Sequence, residues 1–199
     1  MAKTDVYRVM FEGGAITTTV TSSGASVKAW VDEVSVHRRR LRDLIVGLDV
    51  EWRPLFGPGY SPTALLQLCV GRRCLVFQIL RADYIPDSLF DFLADERFTF
   101  VGVGIGDDAA KLRAGYGLEV GCAEDLRGLA ADTLGNPALR SAGLRALVWE
   151  VMGGGMQKPH HVRVSAWDAP VLPYSQLMYA SVDAFASFEV GRRLYDGDY

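Results

Sequence analysis

The heptapeptide VGLDVEW, residues 46–52, places two carboxylates in a run that otherwise has the composition of a protein interior. Its branched and aromatic residues predict a β-strand, along which side chains alternate, so Asp49 and Glu51 point to the same face. Two like charges on one buried face repel each other unless a positive charge compensates them. Either the strand ends in solvent, as the nearby Pro54 would allow, or its acids hold a cation.

A second pair of acids follows a glycine-rich strand in FVGVGIGDDAAKL, residues 100–112. Glycines in a strand-to-helix turn suggest a dinucleotide site, but their spacing misses the G-x-G-x-x-G pattern by one position. Asp107 and Asp108 would also repel a pyrophosphate at the start of the helix. Acids in a first helical turn commonly stabilise the helix, which accounts for one of the two. The other is free to face a site at the carboxyl end of the strand.

The third candidate segment is YASVDAF, residues 179–185. Tyr179 and Asp183 are four residues apart, so on a helix they share one face, one turn apart. Apolar residues at helical spacing lie beside them. Taken alone, the segment fits equally well a helix whose Tyr and Asp only flank the core.

Predicted strands cluster near the N-terminus and then alternate with helices, which is typical of an α/β layer fold. We expect a mixed sheet with helices on both faces, in one domain of 199 residues. The predicted strands are 6–11, 15–20, 44–52, 64–71, 73–80, 98–105 and 118–121. The predicted helices are about 27–34, 87–96, 107–117, 123–135, 143–153 and 175–195, with a long connector over 153–174.

The formal net charge of −3 argues against a protein that holds long stretches of nucleic acid by bulk charge, so any such contact must be local. The basic run 37–40 favours a solvated helix end over a phosphate contact. Apolar runs are too short to span a membrane, and the N-terminus has no secretory signal. The chain has an odd number of cysteines, and their spacing is not that of metal ligands; they are Cys69, Cys74 and Cys122. We therefore expect reduced thiols in an intracellular compartment, cytoplasmic or nuclear.

In this order, the three acidic segments resemble the DEDD 3′–5′ exonuclease superfamily, in its tyrosine-containing subgroup, which has a ribonuclease H-like fold. The first family motif, D-x-E, is matched by Asp49-Val50-Glu51, with the usual Trp following as Trp52. The Asp of the second motif falls on Asp108 rather than Asp107, because Lys111 and Leu112 then take their usual places. The third motif, Tyr-x-x-x-Asp, is matched by Tyr179 and Asp183.

The stretch SAWDAPVLPYSQLMYASVDA also resembles Werner-syndrome-type exonucleases and RNase D relatives. The resemblance covers about residues 44–194, preceded by an N-terminal hairpin and helix over 6–43. This N-terminal part is most similar to small plant Werner-like proteins, including the RISC-interacting clearing exoribonucleases. That resemblance implies two further expectations, a homo-oligomer and an association with Argonaute.

The resemblance implies a site for two Mg²⁺ or Mn²⁺ ions, for which carboxylate oxygens are suitable ligands. One ion would activate the attacking water and the other would stabilise the leaving 3′ oxygen, while Tyr179 and Glu51 orient the water. The implied metal ligands are Asp49, Glu51, Asp108 and Asp183.

Contacts to the substrate are expected to be few. Candidates for substrate binding are Val50, Trp52 and Lys111, and the stretch 158–163, which includes two histidines, offers further phosphate contacts. Trp52 or Trp167 would stack on a terminal base, although packing in the core is the more common role of such a Trp.

The expected function is therefore metal-dependent 3′–5′ exonuclease activity on single-stranded 3′ ends, with RNA ahead of DNA. The alternatives are a Werner-like DNA exonuclease and a catalytically weak module that binds nucleic acid or a partner protein.

Overall fold

A computed structural model describes residues 2–36, 44–53 and 59–199 of the chain. The strands in these ranges are β1 (Thr4–Phe11), β2 (Gly14–Thr21), β3 (Ile45–Trp52), β4 (Thr63–Val70), β5 (Arg73–Phe77), β6 (Thr99–Gly102) and β7 (Ala123–Asp125). The α-helices are α1 (Gly24–Val36), α2 (Asp87–Ala94), α3 (Ile105–Tyr116), α4 (Leu126–Thr133), α5 (Leu144–Met152), α6 (His160–Arg163) and α7 (Tyr174–Asp196). Short 3-10 helices lie at Ile79–Arg81 and Pro137–Ser141.

The described strands form one mixed sheet in the order β1-β2-β5-β4-β3-β6-β7. β3, the strand with the paired acids, is antiparallel to β4 and parallel to β6. An interior strand of this kind has no free edge, so its polar side chains must find their partners on the faces of the sheet.

Helices cover both faces of the sheet. On one face, α4, α5 and α7 pack in a cluster that includes Val148 and Phe185. On the other face, α1, α2 and α3 pack in a cluster that includes Trp30, Phe92 and Leu112. The predicted α/β architecture, a mixed sheet between two helical layers, is confirmed.

Several element boundaries were predicted wrongly, including the end of β5, which lies at Phe77 rather than at residue 80. The last strand is β7, at 123–125, and not the segment 118–121. Residues 123–125 were assigned to a helix, but α4 begins only at Leu126, because the Asp125 carboxylate caps it by accepting a hydrogen bond from the Arg127 amide. β6 ends at Gly102, three residues earlier than predicted, because Gly104 adopts a left-handed conformation with φ of 72° at the start of α3.

The expectation of three reduced cysteines is also wrong. Cys69 and Cys74 form a disulfide, whereas Cys122 is free and half-buried. The strand register explains the pairing, since Cys69 of β4 lies directly opposite Cys74 of β5. Cys69 lies two residues before Gly71 and Cys74 two residues after Arg72, so a tight turn between the two strands brings them together. The expectation of reduced thiols used the number of cysteines and did not use this register.

The basic run 37–40 and most of the loop after β3 lie outside the described residues, so the expectations for them stay predictions. Within the described ranges, none of the helices has the length and apolar character that crossing a membrane requires.

Helix α7 lies directly on β3 at Gly47. A Cβ atom at this position would overlap the Ala184 carbonyl oxygen and would come within 2.7 Å of the Phe188 amide nitrogen. Gly47 and Asp49 are two residues apart on β3, and Ala184 follows Asp183 on α7. The missing side chain therefore sets the separation between the strand and the helix that carry the acids.

We predict that Gly47→Ala destabilises the protein by about 1–3 kcal/mol or more, because the helix or the strand must move to admit the methyl group. Gly106→Ala is the matched control, since Gly106 lies in α3 with open space around its Cα and should gain about 0.5–1 kcal/mol. Thermal denaturation of the two variants beside the wild type measures both effects. Equal melting temperatures for the two variants would contradict this account of Gly47.

Candidate active site

Three of the predicted acids come together between β3 and α7. One carboxylate oxygen from each of Asp49, Glu51 and Asp183 lies within 4.8 Å of the other two. Glu51 and Asp183 are buried, with 8% and 2% of their surface exposed, and Asp49 is partly buried. Strand alternation puts the first two on the face that α7 covers, and α7 supplies the third.

The two acids of the second segment have different positions. Asp108, in the first turn of α3, is buried and lines a cavity of about 380 Å³ together with the three clustered acids. Asp107 is exposed and does not line this cavity. The Asp108 carboxylate lies outside the 4.8 Å group, so it forms a separate wall of the same cavity.

The start of α3 is held by a residue that the sequence analysis did not select. The Asp125 carboxylate accepts a hydrogen bond of 3.1 Å from the Gly104 amide, just before the helix. It thereby fixes the turn that aims Asp108 at the cavity. An Asp immediately before a helix gives a capping signal in the sequence, but that signal does not reveal the second contact across the sheet edge.

The acids in the cavity resist ionisation. Burial, and then the charges of Asp49 and Asp183, raise the pKa of Glu51 to about 10. Burial followed by the charge of Asp49 raises the pKa of Asp108 to about 8. Burial also raises the pKa of Asp49 and that of Asp183, the latter to about 7, although Lys158 opposes both shifts. The cluster therefore lacks enough positive charge to keep all of its acids ionised.

Lys158 supplies the cation that the structure does provide. Its Nζ lies 2.5 Å from Oδ2 of Asp183 and 5.3 Å from the centre of the Tyr179 ring. Burial lowers the pKa of Lys158, but the charge of Asp183, the hydrogen bond to it and the charge of Asp49 together outweigh this effect, so the pKa lies above its ordinary value. The sequence analysis grouped Lys158 with phosphate contacts, and its position in a long connector gave no signal of an ion pair with α7.

Tyr179 lines the same cavity, one turn before Asp183 on α7. Burial and the charge of Asp183 raise the pKa of its hydroxyl to about 12, so the phenol keeps its proton at neutral pH. Its ring packs against Trp167, whose indole is fully buried and donates a hydrogen bond of 2.9 Å to the Arg163 carbonyl. Trp167 is thus part of the core, which is the more common role given for such a Trp in the sequence analysis. It is not placed to stack on a base.

The three candidate substrate contacts lie at the mouth of the cavity or in its wall. Trp52 is 37% exposed, and Nζ of Lys111 lies 4.6 Å from the centre of its ring. Trp52 and Val50 line the cavity. Lys111 does not line it, but its ammonium lies over the ring of Trp52. Arg163, from the stretch 158–163, is exposed and also lines the cavity, but neither His160 nor His161 does.

The donor set fits a divalent cation. Carboxylate oxygens are the hard ligands that Mg²⁺ and Mn²⁺ prefer, and three of them converge within 4.8 Å. Their raised pKa values show that the group has a deficit of positive charge, which a bound cation would remove. The residues present therefore match the chemistry of a metal site.

The family model for 3′–5′ exonucleases matches residues 21–196, which include all the acids of the cavity. The chain belongs to this 3′–5′ exonuclease family. Its acidic motifs, recognised in the sequence as those of a Werner-type exonuclease with tyrosine, agree with this assignment.

Relatives in the exonuclease family support the assignment. A 3′–5′ exonuclease of Arabidopsis thaliana is 36% identical over 154 residues, covering 76% of this chain and 52% of the relative. The bifunctional 3′–5′ exonuclease/ATP-dependent helicase WRN of Mus musculus is 31% identical over 152 residues, covering 75% of this chain and 11% of the relative. The chain thus spans about half, or less, of the length of these relatives.

Solved structures of other proteins share the fold. RNase D of Escherichia coli superposes with a TM-score of 0.76 at 20% identity, over 90% of this chain and 44% of that one. The EXD2 exonuclease domain, soaked in Mg and GMP, matches with a TM-score of 0.53 at 27% identity, over 90% of this chain and 93% of that one. The predicted ribonuclease H-like fold is confirmed.

We predict that the metal-free exonuclease domain loses stability as the pH rises from about 4 to about 10. The folded-state pKa values of the cavity acids lie above the unfolded values, so the folded state binds more protons and stability is highest at low pH within this range. In EDTA the melting temperature should fall by about 5 °C or more between about pH 6 and about pH 9. Asp49→Asn with Glu51→Gln should flatten the profile. A flat profile in the wild type would show that the acids do not repel each other.

We predict that Lys158→Met destabilises the metal-free protein by about 1–3 kcal/mol at neutral pH, because Asp183 loses its partner in a largely buried site. Lys28→Met is the matched control, since its ion pair with Asp32 is exposed and should contribute less than about 1 kcal/mol. Melting temperatures in EDTA measure both losses. If the two variants lose equal stability, Lys158 is not the compensating cation.

Proposed function

We propose that this exonuclease domain is a metal-dependent enzyme that removes nucleotides from the 3′ end of single-stranded nucleic acid, with RNA preferred. The observation that carries the proposal is the convergence of Asp49, Glu51 and Asp183 within 4.8 Å, in a chain whose family is that of 3′–5′ exonucleases. Phosphodiester hydrolysis requires positive charge beside the reacting phosphate, and a carboxylate cluster binds the ions that provide it.

Two Mg²⁺ or Mn²⁺ ions, when bound, would supply a reactive water at neutral pH and would stabilise the charge that develops on the phosphate. The acids of the cavity, Asp49, Glu51, Asp108 and Asp183, would hold these ions. The Tyr179 hydroxyl stays protonated, since its pKa is about 12, and it donates a hydrogen bond rather than removing a proton. Its role is to orient the attacking water, and Glu51, which lines the same cavity, shares this role.

The substrate strand would be held by a few groups around the cavity. Arg163 and Lys158 offer positive charge to the phosphates on one side. On the other side, the exposed face of Trp52 offers a surface on which a base of any sequence can stack, with Lys111 beside it. Such local contacts are compatible with the negative net charge of the chain, because only the terminal nucleotides need to be bound.

A second candidate is an exonuclease that trims DNA 3′ ends. The 31% identity to the Werner protein favours it, whereas the preference for RNA rests on the N-terminal resemblance to clearing-type exoribonucleases. A module that only binds nucleic acid is less compatible with the site, because a complete set of acids and the Tyr are all placed in one cavity. A homo-oligomer and an association with Argonaute stay predictions.

The activity is tested on single-stranded RNA and on DNA of the same sequence, each labelled at the 5′ end, with Mg²⁺, Mn²⁺ or EDTA. We predict a ladder that shortens from the 3′ end in the presence of metal, and a loss of at least about 100-fold in the Asp49→Ala, Glu51→Ala double variant. The better substrate decides between the RNA and DNA proposals. If the protein binds the nucleic acids but shortens neither of them with Mg²⁺ or with Mn²⁺, both exonuclease proposals are refuted and the binding module remains.

Asp107 and Asp108 provide a matched pair for the second motif. Asp108→Asn should lose most of the activity, whereas Asp107→Asn should stay within about threefold of the wild type, because the exposed Asp107 does not line the cavity. If Asp107→Asn loses the activity and Asp108→Asn does not, the Asp of the second motif is Asp107 and not Asp108.

A further inference from the structure

Gln67 of β4 has no hydrogen-bonding partner although it lies in the interior. Its side chain is fully buried, and neither Nε2 nor Oε1 has a partner. Among the described residues it is the only side chain with two such buried, unpaired atoms. Buried amides in proteins are normally hydrogen-bonded, so an amide left without partners at both ends calls for an explanation.

The strand register places Gln67 beside the acid cluster. In the β3–β4 pair, Gln67 lies directly opposite Asp49, and its neighbour Leu65 lies opposite Glu51. Side chains of residues opposed in this way share one face of the sheet, with Cβ atoms about 4.5–5.5 Å apart. At that separation, the amide of a Gln can reach the carboxylate of an Asp.

The shared face is the one covered by α7. Leu65 packs in one cluster with Tyr179 and Ala180, and Gly47, two residues before Asp49, lies under Ala184. Gln67 therefore lies beside Asp49 on the face of the sheet that α7 covers. It does not line the cavity, so a contact with Asp49 would lie away from the side open to substrate.

Other buried polar side chains near α7 do have partners. Thr18 donates a hydrogen bond of 3.0 Å to Ser181, and Ser181 donates one of 2.7 Å to the Leu177 carbonyl. Gln176, on α7 and also buried, donates from Nε2 to Ser165 at 2.6 Å. Oε1 of Gln176 has no partner either, so what distinguishes Gln67 is that both of its amide atoms are unpaired.

We propose that Gln67 is a positioning residue for the metal ligands, whose amide donates to the carboxylate oxygen of Asp49 or Asp183 that faces away from the cation. Groups that hold a ligand in this way fix its rotamer, so that the other oxygen stays directed at the metal. Without such a contact, the amide would only add the cost of a buried, unpaired group. The inference rests on the proposed metal-dependent function.

The test compares Gln67→Leu with Gln176→Leu, which is the same substitution at a buried amide whose Nε2 donates a hydrogen bond to Ser165. In EDTA, Gln67→Leu should keep or raise the melting temperature, because it removes an unpaired polar group, whereas Gln176→Leu should lower it. Calorimetric titration with Mn²⁺ should show about tenfold weaker binding in Gln67→Leu and binding within twofold of the wild type in Gln176→Leu. At saturating Mn²⁺, the exonuclease activity of Gln67→Leu should recover towards that of the wild type.

A role in structure alone predicts a different result. If Gln67→Leu lowers the melting temperature and leaves the Mn²⁺ affinity within twofold of the wild type, the positioning role is refuted while the proposed function stands. If the wild-type protein itself does not bind Mn²⁺, the proposed metal site fails, and the role of Gln67 fails with it.

Discussion

The repulsion among buried carboxylates is the constraint on which the rest of this structure depends. Asp49, Glu51 and Asp183 converge in a setting that raises the pKa of each, and folding alone gives no reason to bring them together. A core that maximised stability would place apolar side chains at these positions. The fold accepts this cost because β3 is interior and α7 lies directly over it, so the acids gain a fixed geometry that exposed side chains would not have.

Close approach of the helix to the strand makes the cluster compact. At Gly47 the backbone of β3 touches that of α7, close to the acids, since Asp49 follows Gly47 by two residues and Asp183 directly precedes Ala184. The same helix supplies Tyr179, so one rigid element places both an acid of the cluster and the hydroxyl that we propose orients the attacking water. Lys158 then offsets part of the charge from a connector that is not itself part of the sheet. The site is therefore built on regular structure, with its charge adjusted from a loop.

Much of this arrangement was readable from the sequence, because it depends on local periodicity. Strand alternation put Asp49 and Glu51 on one face, and helical spacing put Tyr179 and Asp183 on another, before any contact was known. Contacts set by register were not readable. The Lys158–Asp183 ion pair and the place of Gln67 opposite Asp49 both depend on which residues of separate segments meet. Spacing within one segment carries no information about these meetings.

The charge deficit of the cavity connects stability with function. Any cation that enters must compete with Lys158 for Asp183, and it must also displace the protons that the raised pKa values retain on the acids. Binding of a metal ion would therefore release protons and free the ammonium of Lys158, which lines the cavity. Under the proposed function, this lysine would then be available to a phosphate of the substrate. In both states its positive charge would offset the excess of negative charge in one cavity.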